Sequence, residues 1–255
     1  TPGSVMTYFP FPDIAPGKPG AGEVGVTDFA VPKGAADFWI ERLAEHGAEG
    51  LEVDEAFGAR RVCFNGPDGD GFSLTEIEGD TRAPWTGTDV PEEMAIRGFS
   101  GARLRLQDAG ATAELLTFMG YEQVAQENGV TRFRVADGDA ADVIDIEASA
   151  SLPRARPGAG SVHHIAFAVE NRAAQLRVRK AIEDTGYMVT PVIDRDYFWA
   201  IYFRTPGGVL FEVATNEPGF DRDEPKDRLG QDLMLPSQHE HLRASLEAQL
   251  QPISN

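Results

Sequence analysis

The sequence has a single cysteine, Cys63, in 255 residues, which excludes an internal disulfide framework. Cys63 lies in the apolar stretch Arg61-Val62-Cys63-Phe64, so a buried, inert thiol is expected, and a chain without disulfides suits the cytoplasm. No stretch approaches the roughly 20 consecutive apolar residues that a membrane span needs, and no secretory signal is visible. Basic residues are scarce, with 23 Lys and Arg against 41 Asp and Glu, a formal charge of −18. Such a surface repels phosphate backbones and anionic lipid heads, which argues against nucleic acid and membranes as partners. What remains is ordinary globular composition, 42% hydrophobic and 25% charged. Apolar residues run along the whole chain, which excludes disorder and allows two domains of about 100–150 residues each.

A weak internal repeat of about 55–65 residues organises the chain. Its clearest copy opens at 162–169 with alternating, β-branched residues that predict a strand. A helix is expected over 172–186, with Ala173, Leu176, Val178 and Ile182 at helical spacing and a terminating glycine. Strands follow at 187–193 and 198–203, then a Thr205-Pro206-Gly207-Gly208 turn and a strand at 209–213. The order is β-α-β-β-β. An earlier copy starts at Val24, with its helix near 34–47 and a final hairpin of 61–64 and 72–77. A poorer copy starts at Phe99, with a helix near 111–119 and a last strand at 143–146.

These copies predict an α+β fold of repeated βαβββ modules, curved mixed sheets with helices outside, in two domains. The first domain is expected at 1–78, a linker at 79–96, the second domain at 97–215 and a C-terminal extension at 216–255. The stretch 152–160 also reads as a linker, and 239–250 as an amphipathic helix packing on a sheet through Leu242, Leu246 and Leu250. Residues 4–12 match only the final strand of a module. The expectation is therefore a truncated first module, with some fifty residues once preceding Thr1.

The string Gly20-Ala21-Gly22-Glu23-Val24-Gly25 resembles a dinucleotide fingerprint, but a Pro/Gly loop precedes it and a strand follows. The fingerprint requires a strand before and a helix after, so a flexible connection is the better reading.

The repeat also works as an internal control. Aligned on their strands and turns, the copies place Val26 and Gly101 opposite His164, and Thr75 opposite Glu212. Only the last copy carries an imidazole on its first strand and a carboxylate on its last. His164 is expected to share a face with Ala166 and Ala168, leaving room for a ligand, with His163 pointing to the other side of the pleat. Glu212 between Phe211 and Val213 would be costly to bury unless paired or metal-bound, and Arg195 or Arg204 could pair with it instead. A neutral imidazole plus a carboxylate makes two-thirds of a 2-His-1-carboxylate site, which favours non-haem Fe(II). The third ligand is not supplied convincingly by His46, His239 or His241, and is assigned to the missing opening strand.

The modules with Val162-His163-His164-Ile165-Ala166-Phe167 and Pro206-Gly207-Gly208-Val209-Leu210-Phe211-Glu212 resemble the vicinal oxygen chelate superfamily of glyoxalases, bleomycin-resistance proteins and extradiol dioxygenases. More narrowly, Pro191-Val192-Ile193-Asp194-Arg195-Asp196-Tyr197-Phe198 through Glu212, with Leu229-Gly230-Gln231-Asp232-Leu233-Met234-Leu235-Pro236, is similar to ring-cleaving hydroquinone-type dioxygenases. That resemblance implies an Fe(II)-dependent dioxygenase whose partners are a hydroquinone-like or catechol-like aromatic and O2. His164 and Glu212 would be metal ligands, His163 a proton shuttle, and Arg195 and Tyr202 residues near the substrate oxygens. Manganese, zinc and nickel are the alternative metals, and module pairing between subunits would allow a homo-oligomer. Other readings stay open. Arg195 could belong to a surface charge cluster, Tyr202 could be strand packing, and His163 could be a packed or hydrogen-bonded histidine. The chain could instead be a glyoxalase-like lyase or isomerase, with Thr7 and Thr75 where a second carboxylate would stand, or a metal-free protein that binds a small aromatic.

Overall fold

Each of the three copies builds the strand–helix–three-strand order in the computed structural model, which describes residues 4–87, 89–136, 138 and 140–251. One copy gives β1 (Glu23–Pro32), α1 (Ala36–Glu45), β2 (Glu49–Ala56), β3 (Ala59–Asn65) and β4 (Gly71–Ile77). The next gives β5 (Gly98–Leu106), α2 (Gly110–Phe118), β6 (Tyr121–Glu127), β7 (Val130–Val135) and β8 (Val143–Ala148). The last gives β9 (Ile165–Val169), α3 (Arg172–Asp184), β10 (Ile193–Asp194), β11 (Phe198–Arg204) and β12 (Leu210–Pro218). The fold is α+β with mixed sheets.

The first two of these copies share one eight-stranded sheet, ordered β2-β3-β4-β1-β5-β8-β7-β6. Within each copy the first and last strands run parallel, and the two copies join where β1 pairs antiparallel with β5. A first strand is otherwise a sheet edge with unsatisfied backbone groups, and pairing two first strands removes both edges. β4 and β5, the strands on either side of 79–96 in the sequence, both belong to this sheet and flank β1. Trp39 of α1 donates its Nε1–H to the Met94 carbonyl at 2.8 Å. Val31, Ala35, Ala36, Trp39, Val62 and Leu74 form the core between α1 and the sheet. The third copy forms a four-stranded sheet, ordered β10-β11-β12-β9.

The described chain divides into two compact units, one running to Ile165 and including Arg204–Phe211, the other comprising Ala166–Phe203 and the residues from Glu212. In the second unit, Asn171 caps α3 by accepting from the Ala174 N–H at 3.0 Å. The buried face of α3 differs from the expected one. Leu176 and Ala173 are exposed, while Gln175 and Ile182 are buried. Gln175 Nε2 donates to the Trp199 carbonyl of β11 at 2.6 Å and the Val213 carbonyl of β12 at 2.8 Å. A polar side chain thus takes the position that spacing alone assigned to an apolar one.

Several further expectations change. Residues 4–10 form no strand, although the stretch after them pairs with 152–160: Lys18 and Arg156 exchange both backbone hydrogen bonds, at 2.8 and 2.9 Å. The expected terminal helix over 239–250 is a 3₁₀ turn (Ser237–Leu242) running into a five-residue helix, α4 (Arg243–Glu247). Leu242 and Leu250 are exposed, so no apolar stripe is buried there. Cys63 is a free, half-buried thiol, pushed above its ordinary pKa first by burial and then by the nearby Asp54 charge. Among the described residues no helix is long and apolar enough to cross a membrane.

Candidate functional site

The two histidines precede β9 rather than lying in it, because the strand begins at Ile165. Strand alternation therefore does not apply to them, and the expectation that His163 points away from His164 is corrected. Their Nδ1 atoms lie 2.8 Å apart, with the rings edge to face at 5.1 Å. One Nδ1 must donate and the other accept, so the contact couples the tautomers of both rings. His164 is half-buried and His163 exposed, with the Phe9 ring set edge-on to His163 at 5.8 Å. Phe9 belongs to the stretch that the sequence reads as a module's final strand, and it lies outside every strand and helix. Beyond the pair, Ala166 and Ala168 are exposed while Ile165, Phe167 and Val169 are half-buried, the expected alternation.

Tyr202 and Glu212 face each other across the β11–β12 hairpin. The turn closes with Thr205 N–H donating to the Val209 carbonyl at 2.9 Å and Gly208 N–H to the Thr205 carbonyl at 2.9 Å. Gly208 takes φ +94, a left-handed conformation that glycine adopts without a Cβ penalty. Three residues back along each strand, Tyr202 stands opposite Glu212. The Trp199 N–H bond to Thr215 Oγ1, 3.0 Å, keeps the same register.

Glu212 is 3% exposed between buried Phe211 and Val213. Its carboxylate takes a hydrogen bond from the Tyr202 hydroxyl. Arg195 lies just past β10, where the Asp196 N–H bond to Asp194 Oδ1 (2.8 Å) and the Arg195 N–H bond to the Phe198 carbonyl (2.9 Å) shape a tight turn. From there Arg195 Nη2 donates to Tyr202 Oη at 3.3 Å. Burial raises the Tyr202 pKa above the ordinary phenol value; Arg195 works against this and Glu212 with it. Thr190, which sequence reading passed over, clamps the Tyr202 backbone: its N–H donates to the Tyr202 carbonyl and its Oγ1 accepts from the Tyr202 N–H, both at 3.0 Å.

The sequence-derived candidates thus form two groups, His163 with His164, and Arg195 with Tyr202 and Glu212. An imidazole and a buried carboxylate are suitable donor types for a divalent metal. Among the described residues no three His, Cys, Asp or Glu gather as a set that could hold one. The Thr75 hydroxyl donates to Asp28 at 2.6 Å.

The chain matches the family model described as Glyoxalase/Bleomycin resistance protein/Dioxygenase superfamily over residues 78–213. It is 42% identical over 252 residues to MhqO of Bacillus subtilis (strain 168), named as a proposed ring-cleaving dioxygenase, covering 98% of this chain and 80% of that protein. It is 33% identical over 260 residues to the chlorohydroquinone/hydroquinone 1,2-dioxygenase of Sphingobium indicum, covering 96% of this chain and 78% of that protein. The crystal structure of a proposed dioxygenase from Bacillus subtilis superposes with a TM-score of 0.90 at 42% identity, covering 96% of this chain and 79% of that one.

Proposed function

The chain belongs to the glyoxalase/bleomycin resistance protein/dioxygenase superfamily, and on that premise we propose that it is a ring-cleaving dioxygenase for a hydroquinone-like or catechol-like aromatic. In such a reaction one ring C–C bond breaks and both atoms of O2 enter the product. The observation that carries the reading is the Tyr202 hydroxyl, bonded to the Glu212 carboxylate and to Arg195 on adjoining elements of one sheet.

His164 and Glu212 would hold the metal, which we take to be Fe(II). When bound, it supplies Lewis acidity and the electron-transfer capacity that O2 chemistry needs. The remaining roles fall to the chain's own groups. The Arg195 guanidinium offsets negative charge gathering on the substrate oxygens. Tyr202 holds its proton through neutral pH, so its hydroxyl orients the Glu212 carboxylate and can donate to a substrate oxygen. His163 takes the proton released by the substrate hydroxyl, the role of a positioned general base. The same donor types are compatible with manganese, zinc or nickel, so metal identity is part of the test.

The test is anaerobic loading of the chain with Fe(II), followed by O2 consumption with a panel of hydroquinones and catechols. Uptake that depends on both iron and His164 is expected. Uptake no greater than that of His164→Ala would defeat the proposal.

A further inference from the structure

The eight-stranded sheet has a second, polar face. Val62 and Leu74 point toward α1, so by strand alternation Arg61 and Cys63 of β3, and Ser73 and Thr75 of β4, take the opposite face. The register runs from Cys63 to Ser73 to Asp28, and from Asp28 across to Gly101 of β5. Two residues on from Gly101, Arg103 stands between Val26 of β1 and Asp145 of β8, with Arg132 beyond Asp145.

Asp54, Asp145 and Asp28 on this face are already engaged, and none by Arg103, while Glu52, opposite Cys63 on the same face, is exposed. Asp54 takes both arms of Arg61, at 2.8 and 2.5 Å. Asp145, directly across from Arg103, takes both arms of Arg132 instead, at 2.8 and 2.9 Å. Asp28 Oδ1 accepts from the Ser73 and Thr75 hydroxyls at 2.5 and 2.6 Å. Arg103 is half-buried, and its Nε is fully buried without a hydrogen-bond partner among the described residues. A buried guanidinium N–H without an acceptor is costly, so such a group signals a missing partner. Gly101 adds no side chain opposite Asp28, since a Cβ there would lie 2.3 Å from the Val143 carbonyl oxygen.

We propose that this face is a binding site for a small organic carboxylate, received by the Arg103 guanidinium between the Arg61–Asp54 and Arg132–Asp145 ion pairs. A planar carboxylate matches the planar fork of arginine and can satisfy its buried Nε–H. Burial also raises the proton affinity of Asp28, which weakens one carboxyl group that would compete for Arg103. The site uses none of the residues assigned above to ring cleavage.

Cys63, the only cysteine of the chain, lies on the same face and serves as a reporter. Iodoacetate and iodoacetamide both alkylate a thiolate: a C–S bond forms, the C–I bond breaks, iodide leaves, and the thiol proton passes to buffer. Only iodoacetate carries the carboxylate. At pH 8.5, and against a surface of charge −18 that repels anions, the iodoacetate-to-iodoacetamide rate ratio for the 255-residue chain should exceed that of glutathione by at least about tenfold. The iodoacetate rate should saturate, and sodium acetate should slow it at constant ionic strength where sodium chloride does not. Arg103→Gln should lose the preference and Arg103→Lys should keep part of it. Equal ratios in the chain and in glutathione, or no protection by acetate, would overturn the proposal, and the acetate arm needs no variant to fold. If neither reagent reaches Cys63, acetate must still raise the melting temperature of the wild-type chain more than that of Arg103→Lys; no difference overturns the proposal as well.

Discussion

Tyr202 Oη accepts from Arg195 Nη2 at 3.3 Å and donates to Glu212, the residue directly across its hairpin. The three side chains come from the turn after β10, from β11 and from β12, so one sheet fixes their relationship. Burial holds the phenol above its ordinary pKa, Arg195 pulls it down, and Glu212 pushes it up.

Ultraviolet titration of the phenols, with Tyr202→Phe as the subtraction reference, reads these influences separately. Tyr202 should ionise above the ordinary value of about 10. Arg195→Gln removes the lowering influence and should move the titration further up, whereas Glu212→Gln removes a raising one and should move it down. The same shift in both variants would show that the three groups are not coupled in this way.

Under the proposed function, Tyr202→Phe loses one hydroxyl without changing the ring. Its kcat should fall by about 10–100-fold, the usual scale for a hydrogen-bond donor to developing charge. Arg195→Gln should fall at least as far, because a full charge is lost. Steady-state O2 consumption checks both, and wild-type rates in Tyr202→Phe would return Tyr202 to a packing role.

Tyr197 gives a prediction about alkaline stability. Its hydroxyl donates to Asp223 at 3.0 Å and its ring stacks on Phe220 at 5.4 Å, tying the turn before β11 to the segment after β12. Burial first, and then Asp223, push its pKa up to about 12. A phenol raised above its unfolded value of about 10 favours the folded state fully below pH 10, and that contribution is lost as pH climbs toward 12. Urea unfolding at pH 9 and pH 11 should show a smaller loss for Tyr197→Phe than for the wild type.

Gln175 should matter far more than its exposed neighbour. Gln175→Ala strands the Trp199 and Val213 carbonyls and leaves a cavity, for a cost of about 2–4 kcal/mol. Leu176→Ala, on the exposed face of α3, should stay within about 0.5 kcal/mol. Urea denaturation measures both, and equal effects would contradict the placement of α3.

The modules were legible because period-2 alternation and turn glycines mark strands locally, and each copy repeats that signal. Which helix face is buried was not, since Gln175 enters the interior by satisfying two strand carbonyls, an arrangement that apolar spacing cannot reveal. The histidine pair is hidden for a related reason: strand alternation does not reach 162–164, where β9 has not yet begun. The Tyr202–Glu212 pairing depended on hairpin register, which the turn closure at Thr205 and Val209 sets and composition does not. The joining of β1 to β5 was hidden as well, because strand pairing between copies leaves no mark in either copy alone.

The central claim is that His164 and Glu212 serve one metal ion, and a double-mutant cycle on anaerobic Fe(II) affinity tests it most directly. His164→Ala and Glu212→Gln should each weaken binding by about 10–100-fold, and the double variant should be little weaker than either alone, because a site that has lost one ligand has little left to lose. Independent, additive losses, or affinity unchanged by either substitution, would contradict the account.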